Sequence, residues 1–361
     1  MSKQVRVGVI GSGWWGCEAH LPALRDHPRA AIVAVQSRSK EKARKIADDF
    51  GAAHACTSAQ EMMAIEELDA VIISSTPNMH YEQAKAALQR GLHVLIEKPM
   101  TFTAAQAKEL VDIAQRKSLA FLVSCPWHYT PHNVEARRLI RTGRIGEVKM
   151  VSILMTNFTE GLYQSKTWDE IFGNSSTLQN VATPYREPGL HSYSDPRVAG
   201  GGQIYCQVSH AAAHLGFLVG GEPAEVFARF DNMGTPVDVY DVLNMKLSNG
   251  ALVSMASTGA TMQTERNYEV RVFGTQGMIH LELWKGQMAH YGRDGSVSQQ
   301  PNLDDGAIYP MFEPAKNLVD VVAEGAVNGS PAELGLYAMQ VIEAACRSAE
   351  TKQNIRVDSL G

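Results

Sequence analysis

The sequence predicts two domains: a doubly wound, parallel α/β sheet over residues 1–125, and an α+β domain with a large, mainly antiparallel sheet over residues 126–361. Three observations predict this. A glycine-rich turn, Gly11-Ser12-Gly13-Trp14-Trp15-Gly16, joins an apolar strand directly to a helix. From Val5 to about Ser124 strand-like and helix-like segments alternate, which is the pattern of βαβ units. After Gly146 several strand-like segments follow one another with no helix between them, which indicates antiparallel pairing. A chain of 361 residues also exceeds one ordinary core.

Val5–Ile10 is apolar and rich in β-branched residues, a strand. Cys17 to Leu24 has helical composition, and Ala31 to Gln36 is the second strand. Lys40 to Phe50 places Ala43, Ile46, Ala47 and Phe50 at helical spacing, and Gly51 ends it. Ala70 to Ser74 is an uninterrupted apolar run, as expected of a strand covered on both faces. Tyr81 to Arg90 is a helix closed by Gly91, and His93 to Ile96 is a strand ending at Glu97-Lys98-Pro99. Thr103 to Lys117 is a helix, followed by the strand Ala120 to Ser124. The Pro-flanked aromatic segment Trp127-His128-Tyr129 breaks the alternation and marks the boundary. A connecting helix over 132–143 leads to strands at Val148–Met155, Glu225–Phe230, Asp238–Leu247, Ala251–Thr258, Tyr268–Phe273 and Met278–Leu283. Helices near Phe312–Val327 and Leu334–Ala349 close the chain. The long polar stretch from Thr156 to Gly202 carries Tyr163, Trp168, Tyr185 and Tyr193, so it is expected to be ordered as a lid, substrate wall or oligomer contact.

The bulk numbers exclude several classes. Lys and Arg number 33 against 38 Asp and Glu, and no cluster of cations builds a basic face, so no nucleic-acid partner is expected. No apolar run is long enough for a bilayer, and Met1-Ser2-Lys3-Gln4 runs straight into the first strand without a secretory apolar region. The five cysteines (17, 56, 125, 206 and 346) are scattered and contain no C-x-x-C, as in free thiols of a reducing compartment. A cytoplasmic setting is expected.

In its context of strand before and helix after, the glycine turn reads as a dinucleotide site. One glycine makes the tight turn, one admits the pyrophosphate, one packs the helix on the strand, and the helix N-terminus faces the phosphates. The cofactor-binding candidates are Gly11, Ser12, Gly13, Trp14, Trp15 and Gly16, with Ser75, Thr76, Pro77 and His80 after the next strand. The tip of the second strand reads Gln36-Ser37-Arg38-Ser39-Lys40, without the carboxylate that receives the ribose 2′-OH of NAD. Ser37 and Arg38 therefore favour NADP; an arginine stacked on adenine also serves NAD, which keeps both nucleotides open. His20, just after the loop, is expected to pack within its helix.

The N-terminal loop, Glu97-Lys98-Pro99 at a strand end, Gly200-Gly201-Gly202 leading to His210, and Gly274-Thr275-Gln276-Gly277 together resemble the Gfo/Idh/MocA oxidoreductase family, which includes glucose–fructose oxidoreductase and inositol dehydrogenase. The resemblance covers essentially the whole chain. It implies a Rossmann domain followed by an open-faced sheet domain, and homo-oligomers (dimer or tetramer) formed through that sheet. It also implies hydride transfer between a nicotinamide cofactor and a hydroxyl-bearing carbon of a sugar, cyclitol or glycoside.

Lys98 at the carboxyl end of a parallel strand lies on the edge where open α/β sheets bind ligands, and the family motif maps onto it as a catalytic residue. Glu97 beside it is a cofactor-side candidate. His210 is the second catalytic candidate, but the aspartate that relatives carry four residues earlier is Cys206 here, so the simple two-residue relay is missing. Cys206, His210 and His214 recur every four residues; three consecutive turns span too far for one ion, and no metal is expected. The substrate-facing candidates are Lys98, Trp127, His128, Tyr129, Tyr163, His191, His210 and His214, with core packing the competing reading for Trp127 and His214. Two further functions stay open on the sequence. One is a glycosidase whose tightly held nucleotide oxidises the sugar transiently so that the aglycone is eliminated; the other is a nucleotide-binding regulator without turnover.

Overall fold

A computed structural model describes residues 4–172 and 189–360. Tyr185 lies outside the described residues, as does the side chain of Trp168. The first sheet has six parallel strands: β1 (Val5–Ile10), β2 (Ala30–Gln36), β3 (His54–Cys56), β4 (Ala70–Ile73), β5 (His93–Ile96) and β6 (Phe121–Val123). Their order is β3-β2-β1-β4-β5-β6. The direction of winding reverses between β1 and β4, which pair in parallel, so the ligand crevice of such a sheet opens at their carboxyl ends.

Alternate residues of these strands feed opposite faces, as their period of two requires. Ile10, Val71, Ile73, Val94 and Ile96 are buried with Met62, Ala84, Leu88, Ala107 and Leu110 of the helices Ala59–Met63, Pro77–Arg90 and Ala104–Arg116. Val5, Val7, Val9, Ile72, Leu95 and Leu122 are buried on the other face with Leu21, Leu24 and Ile46. That face is completed by Ala315, Leu318 and Val319 of the helix Glu313–Glu324, from near the other end of the chain. Arg29 ties the same helix down through Asp320 and Glu324.

The second sheet has nine strands in the order β14-β13-β12-β11-β7-β10-β9-β8-β15. They are β7 (Val148–Thr156), β8 (Pro223–Asp231), β9 (Tyr240–Leu247), β10 (Leu252–Thr258), β11 (Asn267–Gly274), β12 (Gly277–Glu282), β13 (Gln287–Gly292), β14 (Val297–Gln299) and β15 (Ile355–Arg356). The sheet is mixed: β7 pairs antiparallel with β11 but parallel with β10. Along β9 burial alternates without exception. Leu243, Met245 and Leu247 turn inward beneath the helices Val208–Val219 and Ala332–Thr351, while Tyr240 and Val242 turn outward and are exposed. Met150, Leu154 and Leu252 are exposed on neighbouring strands.

Within the long polar stretch the described part forms short helices at Glu160–Tyr163, Trp168–Phe172 and Pro196–Ala199. The expected helix through Cys206, His210 and His214 is interrupted. Gln203–Cys206 ends at Gln207, a turn residue with φ −114° and ψ −40°, and a new helix begins at Val208.

Candidate active site

The glycine loop leaves β1 in the conformation that close approach demands. Gly11 has φ +79°, and a Cβ there would lie 2.4 Å from the Ser75 nitrogen. At Gly13 a Cβ would find nothing nearer than the Gly11 oxygen at 3.9 Å, so the loop is open on the side where a pyrophosphate must come in. Gln36 braces the turn from β2: its Oε1 accepts the Gly11 N–H at 3.0 Å, its own carbonyl accepts the Ser12 N–H at 2.8 Å, and its Nε2 donates to the Thr57 carbonyl. These residues fit a dinucleotide. Beyond Gln36, Ser39 caps the next helix by accepting the Lys42 N–H, and Arg38 is exposed with no ion-pair partner among the described residues.

After β4, Ser75 donates to the Gln83 side chain at 2.6 Å, Thr76 donates to Asn78, and Pro77 occupies the first turn of the following helix. His80 is buried. Its ring bridges the Ser75 carbonyl (2.9 Å) and the Pro99 carbonyl (2.8 Å), and burial pushes its pKa down.

Glu97 ends β5 and is buried. Oε1 accepts from Trp15 Nε1 and His20 Nε2, each at 2.9 Å, and Oε2 faces the Lys98 N–H at 3.3 Å. Burial pushes this carboxyl up most, but the His20 hydrogen bond, the charge of Lys98 and the Ser124 hydroxyl together outweigh it and hold the group below the usual glutamate range. His20 is thus more than helix packing. Lys98 reaches across to the other half of the molecule, where Nζ donates to the Cys206 carbonyl at 3.0 Å.

That carbonyl lies just ahead of the helix carrying His210. His210 is buried, its Nδ1 has no partner among the described residues, and burial, with the charge of Lys98 next in importance, pushes its pKa well below the ordinary value. A neutral imidazole beside Lys98, with an open lone pair or N–H, can exchange a proton. Two tyrosines stand in the same region. Burial, with Cys206 and Glu97 nearby, pushes up the Tyr193 phenol, and burial, then Glu97, Cys125, Cys206 and Tyr193, pushes up that of Tyr309. The Tyr309 ring lies 6.4 Å from that of Trp15. Tyr309 sits outside every motif and has no signal in the sequence that could have found it.

The remaining candidates lie further back. Trp127 is 1% exposed and packs edge-on against Tyr268, Trp284 and Tyr309 at 4.8–5.2 Å, an aromatic core in which its ring has no free face for a sugar. His128 stacks on Phe217 at 4.6 Å and meets Ser330 Oγ through Nδ1; because Ser330 donates to the Val123 carbonyl, the imidazole is the donor. His214 is fully buried against the Tyr268 hydroxyl, and burial pushes its pKa down to about 3. Tyr129 donates to Asn317, and Tyr163 is buried and donates to Gln203 at 2.7 Å. His191 is exposed and meets the Ser165 hydroxyl. The structure therefore brings together the glycine loop, Ser75, Glu97, Lys98 and His210, and leaves His128, Tyr129, His191 and His214 in other contacts.

Comparisons with known proteins agree with this geometry. Residues 5–125 match the oxidoreductase family with an NAD-binding Rossmann fold, and residues 133–280 match the GFO/IDH/MocA C-terminal domain. An uncharacterized oxidoreductase of Synechocystis is 28% identical over 227 residues, 63% of this chain and 54% of that protein. The dTDP-3,4-didehydro-2,6-dideoxy-alpha-D-glucose 3-reductase of Saccharopolyspora spinosa is 37% identical over 150 residues, 41% of this chain and 45% of that one. The chain thus spans about half the length of these curated relatives. Among solved structures, a levoglucosan dehydrogenase complexed with NADH and levoglucosan has the same fold at a TM-score of 0.79 and 20% identity, covering 98% of this chain and 100% of that one. With both of its halves matched, and the glycine loop, Glu97 and Lys98 assembled at one sheet edge, the chain belongs to the Gfo/Idh/MocA family of oxidoreductases.

Proposed function

We propose that the chain is an NAD(P)-dependent oxidoreductase that moves a hydride between the nicotinamide and a hydroxyl-bearing carbon of a sugar, cyclitol or glycoside. The observation that carries this reading is Lys98, just past β5, donating to the Cys206 carbonyl of the second half, close enough that its charge bears on the buried imidazole of His210, whose Nδ1 has no partner among the described residues. The nicotinamide supplies the hydride acceptor or donor. Gly11 to Trp14, Gly16 and Ser75 to Pro77 seat the nucleotide. Lys98 binds the reacting oxygen and, with His210, takes up the hydroxyl proton as the carbinol loses its hydride. Tyr193 and Tyr309 wall the space and exclude water. A sugar-type substrate draws support from the relatives, one a dTDP-sugar reductase and one a levoglucosan dehydrogenase.

Arg38, exposed and unpaired at the tip of β2 with no carboxylate beside it, supports NADP over NAD. The exposed apolar residues Met150, Leu154, Val242 and Leu252 on the outer sheet face support a homo-oligomer formed there. Five unpaired cysteines, and the absence among the described residues of any helix long and apolar enough to cross a membrane, support a cytoplasmic setting.

The test is Lys98→Met, assayed against a panel of sugars, cyclitols and glycosides with both nucleotides. Turnover should fall roughly 10²–10⁴-fold while NADPH binding is kept. Retained turnover removes Lys98 from the chemistry. Cleavage of a glycoside without net NAD(P)H production by the wild type replaces the dehydrogenase reading with an oxidation–elimination cycle.

A further inference from the structure

The helix that follows the glycine loop contains a π turn at Gly16–His20, closed by the Leu21 N–H on the Gly16 carbonyl. In a regular α-helix, residues five apart point about 140° away from each other. A turn whose bonds run from i to i+5 inserts one residue and brings such a pair round to one side. Trp15 and His20 are five apart, and both donate to the same oxygen, Oε1 of Glu97. Glu97 accepts only, so His20 carries its proton on Nε2, and its Nδ1 is left without a partner among the described residues. The other carboxylate oxygen faces the Lys98 N–H. One buried anion therefore links the helix that follows the glycine loop to the backbone N–H of its own chain neighbour, Lys98, two residues past β5.

We propose that Trp15 and His20, brought to one side of their helix by this π turn, are positioning residues that hold Glu97 and, through it, Lys98 in register with a nucleotide bound on the glycine loop. The proposal rests on the reading of Lys98 as the group that meets the substrate. A buried carboxylate that merely needed neutralising could take any donors. Here both side-chain N–H donors come from the one helix that follows the glycine loop, with the Ser124 hydroxyl, after β6, acting on the carboxylate besides, and an inserted residue sets the common direction of the two N–H groups. Trp15 also lies beside Tyr309, their ring centroids 6.4 Å apart.

The test compares the wild type with Trp15→Phe, which keeps the ring and removes one N–H, with His20→Gln, which keeps a donor, and with His20→Leu, which does not. The first readout needs no substrate: the amide resonance of Lys98 in ¹⁵N-lysine-labelled protein, identified by its loss in Lys98→Arg, followed during titration with NADPH. The expected result is a shift in the wild type that is at least halved in Trp15→Phe, lost in His20→Leu and restored in His20→Gln, with NADPH affinity within about threefold throughout. If His20→Leu does not fold, Trp15→Phe decides alone. A full shift in Trp15→Phe, no shift in the wild type, or a tenfold or greater loss of NADPH affinity in Trp15→Phe overturns the proposal, the last because Trp15 would then belong to the nucleotide seat itself. The second readout is kcat with levoglucosan or myo-inositol, expected to fall about tenfold in Trp15→Phe with the KM for NADP⁺ little changed. A responsive amide in a wild type that oxidises no polyol refutes the functional reading and sustains the positioning role. Turnover beside an unresponsive amide does the reverse.

Discussion

Buried histidines give this fold a specific weakness to acid. His128, His210 and His214 are each 5% exposed or less, and burial pushes all three well below 6.5, His214 to about 3. A group whose folded pKa is depressed contributes stability that is complete above its unfolded pKa and is lost as pH falls towards the folded one. The window is therefore from about 6.5 down to about 3 for His214. Between pH 7.5 and 5.5 the unfolded imidazole of His214 takes up a proton and the folded one does not, a difference of about 1.4 kcal/mol, and His80, His128 and His210 act in the same direction. Carboxylates such as Glu97 add their loss only below about 4.5, outside this interval. Urea unfolding of wild type at the two pH values gives the net difference, to which the raised Asp241 carboxyl contributes with the opposite sign. In His214→Gln the difference should shrink by about 1.4 kcal/mol, whatever the variant's stability at pH 7.5. An undiminished difference in that variant would show that His214 titrates when folded, and would refute the argument from burial.

Gly11→Ala should abolish NADPH binding and lower stability by at least 1–3 kcal/mol, on the order expected for a strained positive-φ position; here the new methyl also meets Ser75 backbone, and calorimetry reads both effects. Arg38→Ala should weaken NADP⁺ far more than NAD⁺ in parallel titrations, and equal losses would remove Arg38 from the 2′-phosphate. Asp241 is fully buried, both its oxygens lack an N–H or hydroxyl partner among the described residues, and burial with nearby Asp238 pushes its pKa well above the ordinary range. A raised carboxyl pKa contributes stability that is lost as pH rises through the folded value, so Asp241→Asn should gain on the wild type in thermal melts as pH increases.

The parts of this architecture that could be read in advance are those whose signal is local. The apolar run of β4, the strict alternation in β9 and the glycines after β1 each carry their reason within a few residues. Glu97 and Lys98 follow because the end of a parallel strand is itself a place in the fold. β3, β14 and β15 were hidden because two or three residues cannot establish a period. The π turn leaves no mark in composition, since an inserted residue changes which side chains face together and not which are present. Tyr309 reaches Trp15 only because the chain returns to the glycine loop after the second sheet. Trp127 was the reverse case: an aromatic beside the active strand, but with four rings' worth of neighbours contributed by segments far along the chain.

The helix Glu313–Glu324 has a practical corollary. It seals one side of the nucleotide-binding sheet over Val5, Ile72, Leu95 and Leu122. A gene fragment stopped at residue 125 would encode every glycine and every strand of that sheet, yet leave a greasy strip bare along it and Arg29 without its anchoring carboxylates. Such a fragment is expected to precipitate before it meets any nucleotide. Attempts to graft this half onto another partner should carry the distal helix along.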